Sequence, residues 1–245
     1  MSYFTDHGLD LTPQQEAQFE KLFELFTDWN SKINLSAIRD REGIYLKHFV
    51  DSLLATKHVD FSGKKIADLG TGGGFPCLPL AIMHPDSTIH GFDSVGKKLK
   101  AVQDMADQLE LGIKTFHGRL EMFGQKPSFR AQYDLVTTRA LAPWETLMEY
   151  ALPFVKEGGF LIAYQGPSIL EDLQSTGDAC EILGGEIVEI WEERLHQFPL
   201  AKGDEARSDS GGFMEERVII QIEKVKNTPK KYPREVGMPK SNPLR

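Results

Sequence analysis

Ile66-Ala67-Asp68-Leu69-Gly70-Thr71-Gly72-Gly73-Gly74-Phe75-Pro76 is the stretch whose reading decides the fold. An apolar run ends at Asp68 and Leu69, a glycine-rich turn follows, and a helix-like segment opens near Phe75, so the stretch reads as strand, tight turn and helix start. Glycine accepts positive φ and has no Cβ to hold a ligand off the backbone, so Gly70, Gly72 and Gly74 can wrap a bulky cofactor closely. A carboxylate at the strand's end, Asp68, is then placed to accept hydrogen bonds from it. The dinucleotide fingerprint requires glycine where this chain has Phe75, so a nicotinamide enzyme fits poorly. A glycine-rich surface turn that holds no ligand is the alternative.

Outward from that turn the pattern repeats. Strands are predicted near 64–69, 88–93, 113–117, 133–138, 159–165, 186–194 and 217–224, with helices near 76–83, 96–110, 144–155 and 168–183. Strand and helix in alternation mean an α/β protein with a parallel sheet covered on both faces. The last two strands follow each other without a helix, joined by a polar, glycine-containing loop at 201–212, and form a hairpin at the end of the sheet. Upstream, Thr12, Pro13 and Glu16 make a helix start, and Phe19, Leu22, Phe23, Leu25 and Phe26 recur at helical spacing as far as Trp29. A second helix is expected over 42–56. The predicted organisation is a helical cap at 1–60, a catalytic domain at 61–225 and a basic tail at 226–245.

The 245 residues are 40% hydrophobic, enough for a full core, and carry a net charge of −8. No apolar run is long enough to span a bilayer, and Met1 to Asp10 carries acids where a signal peptide would carry bases, so a soluble, cytoplasmic protein is expected. Cys77 and Cys180 are too far apart in sequence to suggest a metal or redox pair. From Lys224 to Arg245, seven basic residues face Glu235 alone, which puts a basic end on an acidic body. Clustered Lys and Arg are what phosphate binding requires.

In open α/β sheets, ligands lie beyond the carboxyl ends of the strands. Asp93, after the second strand, could hold both ribose hydroxyls of a nucleoside, or could be a helix N-cap. After the third come Arg119, Leu120 and Glu121, where an acid and a backbone amide could read an adenine edge while Leu120 packs on the ring; Glu121 could equally be a helix-start acid. Arg139 follows the fourth strand and serves either a carboxylate or a ligand, because a cation is not left buried and unpaired. Lys97, Lys98 and Lys100 occupy the start of a helix, where each cation is unfavourable by about 0.3–1 kcal/mol. A nearby anion or a solvated helix face would account for them. The chain lacks the Asn-Pro-Pro-Tyr-like stretch used on exocyclic amines and a Pro-Cys pair placed to attack a pyrimidine. Guanine N7 carries an in-plane lone pair and needs no deprotonation, so an enzyme acting there chiefly positions two reactants in line.

The Asp-x-Gly-x-Gly-x-Gly turn with its aromatic resembles the first motif of the Rossmann-like S-adenosylmethionine methyltransferases. The whole chain resembles one family more specifically: the bacterial small-subunit ribosomal RNA guanine-N7 methyltransferases, also called glucose-inhibited division protein B. The matching segments are Asn34 to Asp40, Lys47-His48-Phe49, Asp51-Ser52-Leu53, Asp68 to Pro76, Asp93 to Lys98, Arg119-Leu120-Glu121, Thr138-Arg139-Ala140 and Pro229 to Arg234. The resemblance implies a class I fold, a seven-stranded, mostly parallel sheet with an antiparallel last strand. It implies S-adenosylmethionine as cofactor, held at Gly70, Phe75, Leu120, Glu121 and Arg139, with Asp93 at the ribose. The implied substrate is one guanine of 16S ribosomal RNA in the small ribosomal subunit, methylated in line without a covalent intermediate by a monomer that needs no metal and no membrane. Lys97, Lys98, Lys230, Lys231 and Arg234 become candidates for RNA contact, and His48, in an apolar helix, is expected to be structural. Gln165 stands where the family commonly has lysine, and Leu120 where a smaller residue is usual. A non-catalytic RNA-binding or assembly protein, or a small-molecule methyltransferase, are the competing functions.

Overall fold

Strand β1 (Lys65–Leu69) lies inside a seven-stranded sheet, flanked by β2 (Thr88–Asp93) and β4 (Tyr133–Arg139). With β3 (Ile113–His117), β5 (Val155–Gln165), β6 (Gly185–His196) and β7 (Met214–Lys224), the order is β3-β2-β1-β4-β5-β7-β6. The first five strands pair in parallel, and β7 runs antiparallel to both neighbours, β5 and β6. This computed structural model describes residues 2–175, 178–196 and 214–244, so the expected loop at 201–212 lies outside the described residues.

Successive strand residues point to opposite faces, and both faces are buried. Ile66, Ile89, Leu135 and Ile162 enter a core shared with α1 (Ser2–Thr5), α2 (Pro13–Ile33), α5 (Cys77–Met83) and α6 (Gly96–Gln108). That core also takes in the helical stretch α3 (Arg41–Ile44) to α4 (Asp51–Leu53). Ala67, Leu69, Phe92, Val136, Leu161 and Ala163 face the other core, with α7 (Leu120–Gly124), α8 (Trp144–Ala151), α9 (Ile169–Ser175) and α10 (Ala179–Ile182).

Helix α2 starts as its sequence dictates. The Thr12 hydroxyl accepts from the Gln15 amide, the Gln15 side chain accepts from the Thr12 amide at 2.9 Å, and Pro13 opens the first turn. The helix runs past Trp29 to Ile33 and stops at Asn34, whose φ is +53°. The helix expected over 42–56 is not uniform. Between α3 and α4, Tyr45–Val50 widens into a π-helical turn, and Leu54–Lys57 tightens to 3-10 geometry. The expected helix at 144–155 ends at Ala151 because β5 begins four residues later, at Val155. Near the C-terminus, α11 (Met238–Ser241) is an element that hydrophobic periodicity did not reveal.

The basic segment after β7 packs on the body. Arg130 donates to the carbonyls of Thr228, Pro229 and Tyr232 at 2.7–3.2 Å, and Gln125 donates to Pro233 at 2.6 Å. Arg234 lies against Glu149, a carboxylate with no exposed surface, with Nη2 at 2.6 Å and its own backbone amide at 2.7 Å. A buried carboxylate demands such a partner.

Candidate active site

The turn after β1 is held by the end of β2. The amides of Gly70 and Thr71 donate to the Phe92 carbonyl at 2.8 and 3.0 Å, and the Gly72 amide donates to Asp93 Oδ2 at 2.9 Å. Gly72 has φ +56°, and a Cβ built there would meet only the Gly70 carbonyl oxygen, at 3.7 Å. Its open side faces a cavity of about 750 Å³. A Cβ at Gly74, at φ +101°, would instead lie 2.3 Å from Leu78 Cδ1, so that glycine serves packing.

Asp93 uses both oxygens on backbone, Oδ1 accepting from the Val95 amide at 2.8 Å, yet its carboxylate remains in the cavity wall. Gly70, Gly72, Phe75, Leu120, Glu121 and Arg139 line the same cavity, so six of the expected positions join Asp93 there; Gly74 does not. Lys98 lines it as well, whereas Lys97 points to solvent.

Asp68 is not in the wall. It is 1% exposed and turned inward, taking hydrogen bonds from the hydroxyls of Thr71 and Thr137. Burial pushes its carboxyl up to about 6, against those two bonds. The expectation that Asp68 meets the ligand is therefore corrected: it braces the turn from behind.

Arg139 serves a carboxylate and also lines the cavity. Nη1 donates to Asp51 Oδ2 at 2.9 Å and to the Lys47 carbonyl at 3.2 Å, and the guanidinium lies 5.6 Å from the Phe75 ring centroid. Asp51, almost fully buried, also accepts from Arg217 Nε at 2.9 Å, and Arg217 in turn pairs with Glu215. This network ties the cap to β4 and β7 and fixes the orientation of Arg139.

His48, in the π-helical turn, stacks on Phe75 with centroids 4.6 Å apart and 9° between planes. Its Nδ1 lies 3.1 Å from the Lys47 carbonyl, which makes Nδ1 the donor and leaves Nε2 to accept from Ser36 Oγ at 2.8 Å. Burial first, and then the Arg139 guanidinium, pull its pKa down to about 4, so the ring is neutral near pH 7. It reaches the cavity wall as a packed, hydrogen-bonded plate.

On the far side, Glu121 accepts from Arg119 Nη2 at 3.0 Å and from the Gly237 amide at 3.0 Å. Burial alone would raise its pKa, and these bonds overcome that and hold it below the usual carboxylate range. Its side chain thus anchors the C-terminal segment, and Leu120 and Glu121 both line the cavity. Thr146 Oγ1 donates to the Pro239 carbonyl at 3.0 Å, and Lys240 and Pro243 complete the wall. Arg234 is corrected as an RNA candidate: its guanidinium is committed to Glu149 and to the Asn242 carbonyl. Lys230 and Lys231 remain on the surface.

Sequence reasoning missed Asp51 and Arg217 behind Arg139, and Tyr150, Lys240 and Pro243 in the wall. Asp51 lies in a segment of family resemblance, which was its available signal. The others are brought in by long-range packing and had no local signature.

The residues suit S-adenosylmethionine. A glycine whose Cβ direction is open, a carboxylate at the end of β2 where ribose hydroxyls would come, and the apolar Leu120 beside backbone amides are the groups such a cofactor needs.

Comparison with known proteins agrees. The family model described as rRNA small subunit methyltransferase G (GidB) matches residues 15–197. A ribosomal RNA small subunit methyltransferase G from Exiguobacterium sp. is 40% identical over 97% of this chain and 94% of its own length. The protein of that name from Bacillus subtilis is 38% identical over 99% of this chain and 96% of its own. Among solved structures, a putative methyltransferase from Thermoplasma acidophilum matches 68% of this chain and 70% of its own with a TM-score of 0.52 at 17% identity. A 16S rRNA (adenine(1408)-N(1))-methyltransferase from Catenulisporales acidiphilia matches 68% and 90% at 0.51 and 18%. These structures share the fold.

Proposed function

The chain belongs to the rRNA small subunit methyltransferase G family, and from that premise we propose that it methylates N7 of one guanine in 16S ribosomal RNA, acting as a monomer in the cytoplasm. Its class is that of the S-adenosylmethionine-dependent rRNA methyltransferases. Among the described residues, no helix is long and apolar enough to cross a membrane.

The cofactor supplies an electrophilic methyl on a sulfonium. Gly70 and Gly72 would let it approach the backbone, Asp93 would receive the ribose hydroxyls, and the Leu120–Glu121 backbone with the Leu120 side chain would take the adenine. Phe75, held between His48 and Arg139, would form the floor on the cap side.

One observation carries the choice of N7. Every carboxylate and imidazole in the cavity wall is already engaged: Asp93 by two backbone amides, Glu121 by Arg119 and Gly237, and His48 by Ser36 and Lys47. A wall without a free carboxylate or imidazole suits an acceptor atom that brings its own lone pair. The chain's work is then to desolvate and to align.

The test is transfer of labelled methyl from S-adenosylmethionine to 16S rRNA, and to small subunits from cells lacking this activity, followed by mapping of the base. Label on a single guanine N7 is expected. Label on another atom would overturn the N7 assignment, and cofactor binding without transfer to any RNA form would favour the assembly-protein alternative. Gly72→Asp, which points a charge into the cavity, should abolish cofactor binding while leaving the thermal midpoint within a few degrees of wild type.

A further inference from the structure

The cavity wall contains four cations, Lys98, Arg119, Arg139 and Lys240, of which two are neutralised: Arg119 by Glu121 and Arg139 by Asp51. Lys98 and Lys240 have no ion-pair partner among the described residues, and the remaining wall carboxylate, Asp93, is taken up by backbone amides. One of the two free ammoniums is placed at a cost to the protein. Lys98 stands in the first turn of α6, at the end of the helix dipole that disfavours cations. Lys240 is carried into the wall on α11, which is fixed by the bonds from Thr146 to Pro239 and from Gly237 to Glu121.

The cofactor does not explain them. S-adenosylmethionine carries a sulfonium, an ammonium and one carboxylate, so two further unpaired cations beside it repel more charge than they attract. They fit an anion arriving with the other reactant. Their positions say which: Lys98 is on α6, which packs in the core on one face of the sheet, and Lys240 is on α11, which is bonded to α7 and α8 on the other face. The cavity therefore has one free ammonium on each side. A guanine must leave its stack to place N7 in such a cavity, and its strand then enters on one side and leaves on the other, with a phosphate at each.

We propose that Lys98 and Lys240 form a two-point clamp on the phosphates 5′ and 3′ of the target guanosine, with Lys240 a substrate-contacting residue supplied by the C-terminal segment. The clamp rests on the reading that the substrate is RNA.

Lys98→Gln, Lys240→Gln and the double variant are made in the full chain, and three quantities are measured: cofactor Kd, KM for the RNA substrate, and the slope of log affinity for that RNA against log salt. Cofactor Kd should stay within twofold of wild type. Each single variant should raise KM about tenfold and lower the salt slope by about 0.7, the value for one single-strand phosphate contact, and the double variant should lose both contributions. Lys240→Arg should restore most of the affinity. In RNA with a neutral methylphosphonate at one flanking phosphate, one of the two lysine variants should lose little further, and moving the substitution to the other phosphate should exchange their roles. An unchanged RNA affinity and salt slope in Lys240→Gln overturns the clamp, as does a tenfold loss of cofactor affinity, which would assign the lysine to the cofactor. Failure of the wild-type protein to methylate any RNA would overturn the substrate reading itself, and the clamp with it.

Discussion

The N-terminal cap and the C-terminal segment both close the cavity, and apolar burial dominates the attachment of one while polar bonds dominate that of the other. The cap is fused to the core. Phe26 packs edge-on against Phe75 at 5.0 Å and His48 at 5.6 Å, and Phe19, Tyr45 and Phe49 extend the cluster, all fully buried. The C-terminal segment is fastened by directed polar bonds from Arg130, Gln125 and Thr146 and by those Arg234 donates to Glu149, with Tyr232 as its one buried aromatic. Apolar burial is proportional to area and belongs to the cooperative unit, whereas a few hydrogen bonds can open together without unfolding the rest. The cap is thus part of the fold, and the segment is docked upon it.

The sharpest break in that contrast is Phe26→Ala. Removing a ring with no exposed surface should cost about 4 kcal/mol of global stability, read as a lower urea midpoint, with cofactor binding lost in proportion to unfolding. Arg234→Ala comes next. It leaves Glu149 buried without its cation, worth about 3 kcal/mol, but the loss should appear as rapid amide exchange confined to residues 228–242 and as weaker cofactor binding, before any large shift in the global midpoint. If Arg234→Ala lowered the midpoint as far as Phe26→Ala, the two attachments would not differ in kind.

The smallest effect is a near-cancellation. Folded His48 titrates near 4 instead of 6.5, so it refuses a proton that the unfolded chain accepts, and stability falls as pH drops through that window. Folded Asp68 titrates near 6 instead of 3.8, so it takes a proton that the unfolded chain refuses, and stability rises over nearly the same window. Their joint contribution should change by less than about 1 kcal/mol between pH 6.5 and 4. In His48→Gln the Asp68 contribution stands alone, and stability relative to wild type should rise on acidification, measured by urea titration at each pH.

The sheet was legible because its central strands, β1 and β4, are short, mostly buried runs and because its strands are bounded by turn chemistry. Thr88–Asp93 and Ile113–His117 fall where that pattern predicts. Boundaries failed where tertiary contacts overrode local preference, as at Val155, which joins the sheet beside Tyr133 when periodicity alone would continue a helix. In the site, residues that follow a strand were readable: Gly72, Asp93, Leu120 and Arg139 reach the cavity because strands end there. Asp68 was misread because its type and position suit a ligand contact, and only the hydroxyls of Thr71 and Thr137 show which way it turns. Arg234 was misread for a related reason. A basic run looks like a phosphate site until the buried acid beneath it is seen.

The Gly237 amide on Glu121 has a thermodynamic consequence. Because the cavity draws its wall from Leu35 at one end and Pro243 at the other, a ligand that needs the whole wall binds only the fraction of molecules in which the segment is docked. Its apparent dissociation constant is the intrinsic one divided by that fraction. Cofactor titration is therefore also a docking measurement: saturating ligand should slow exchange at Gly237 as it fills the cavity, and the protection gained there gives the free energy that couples the two.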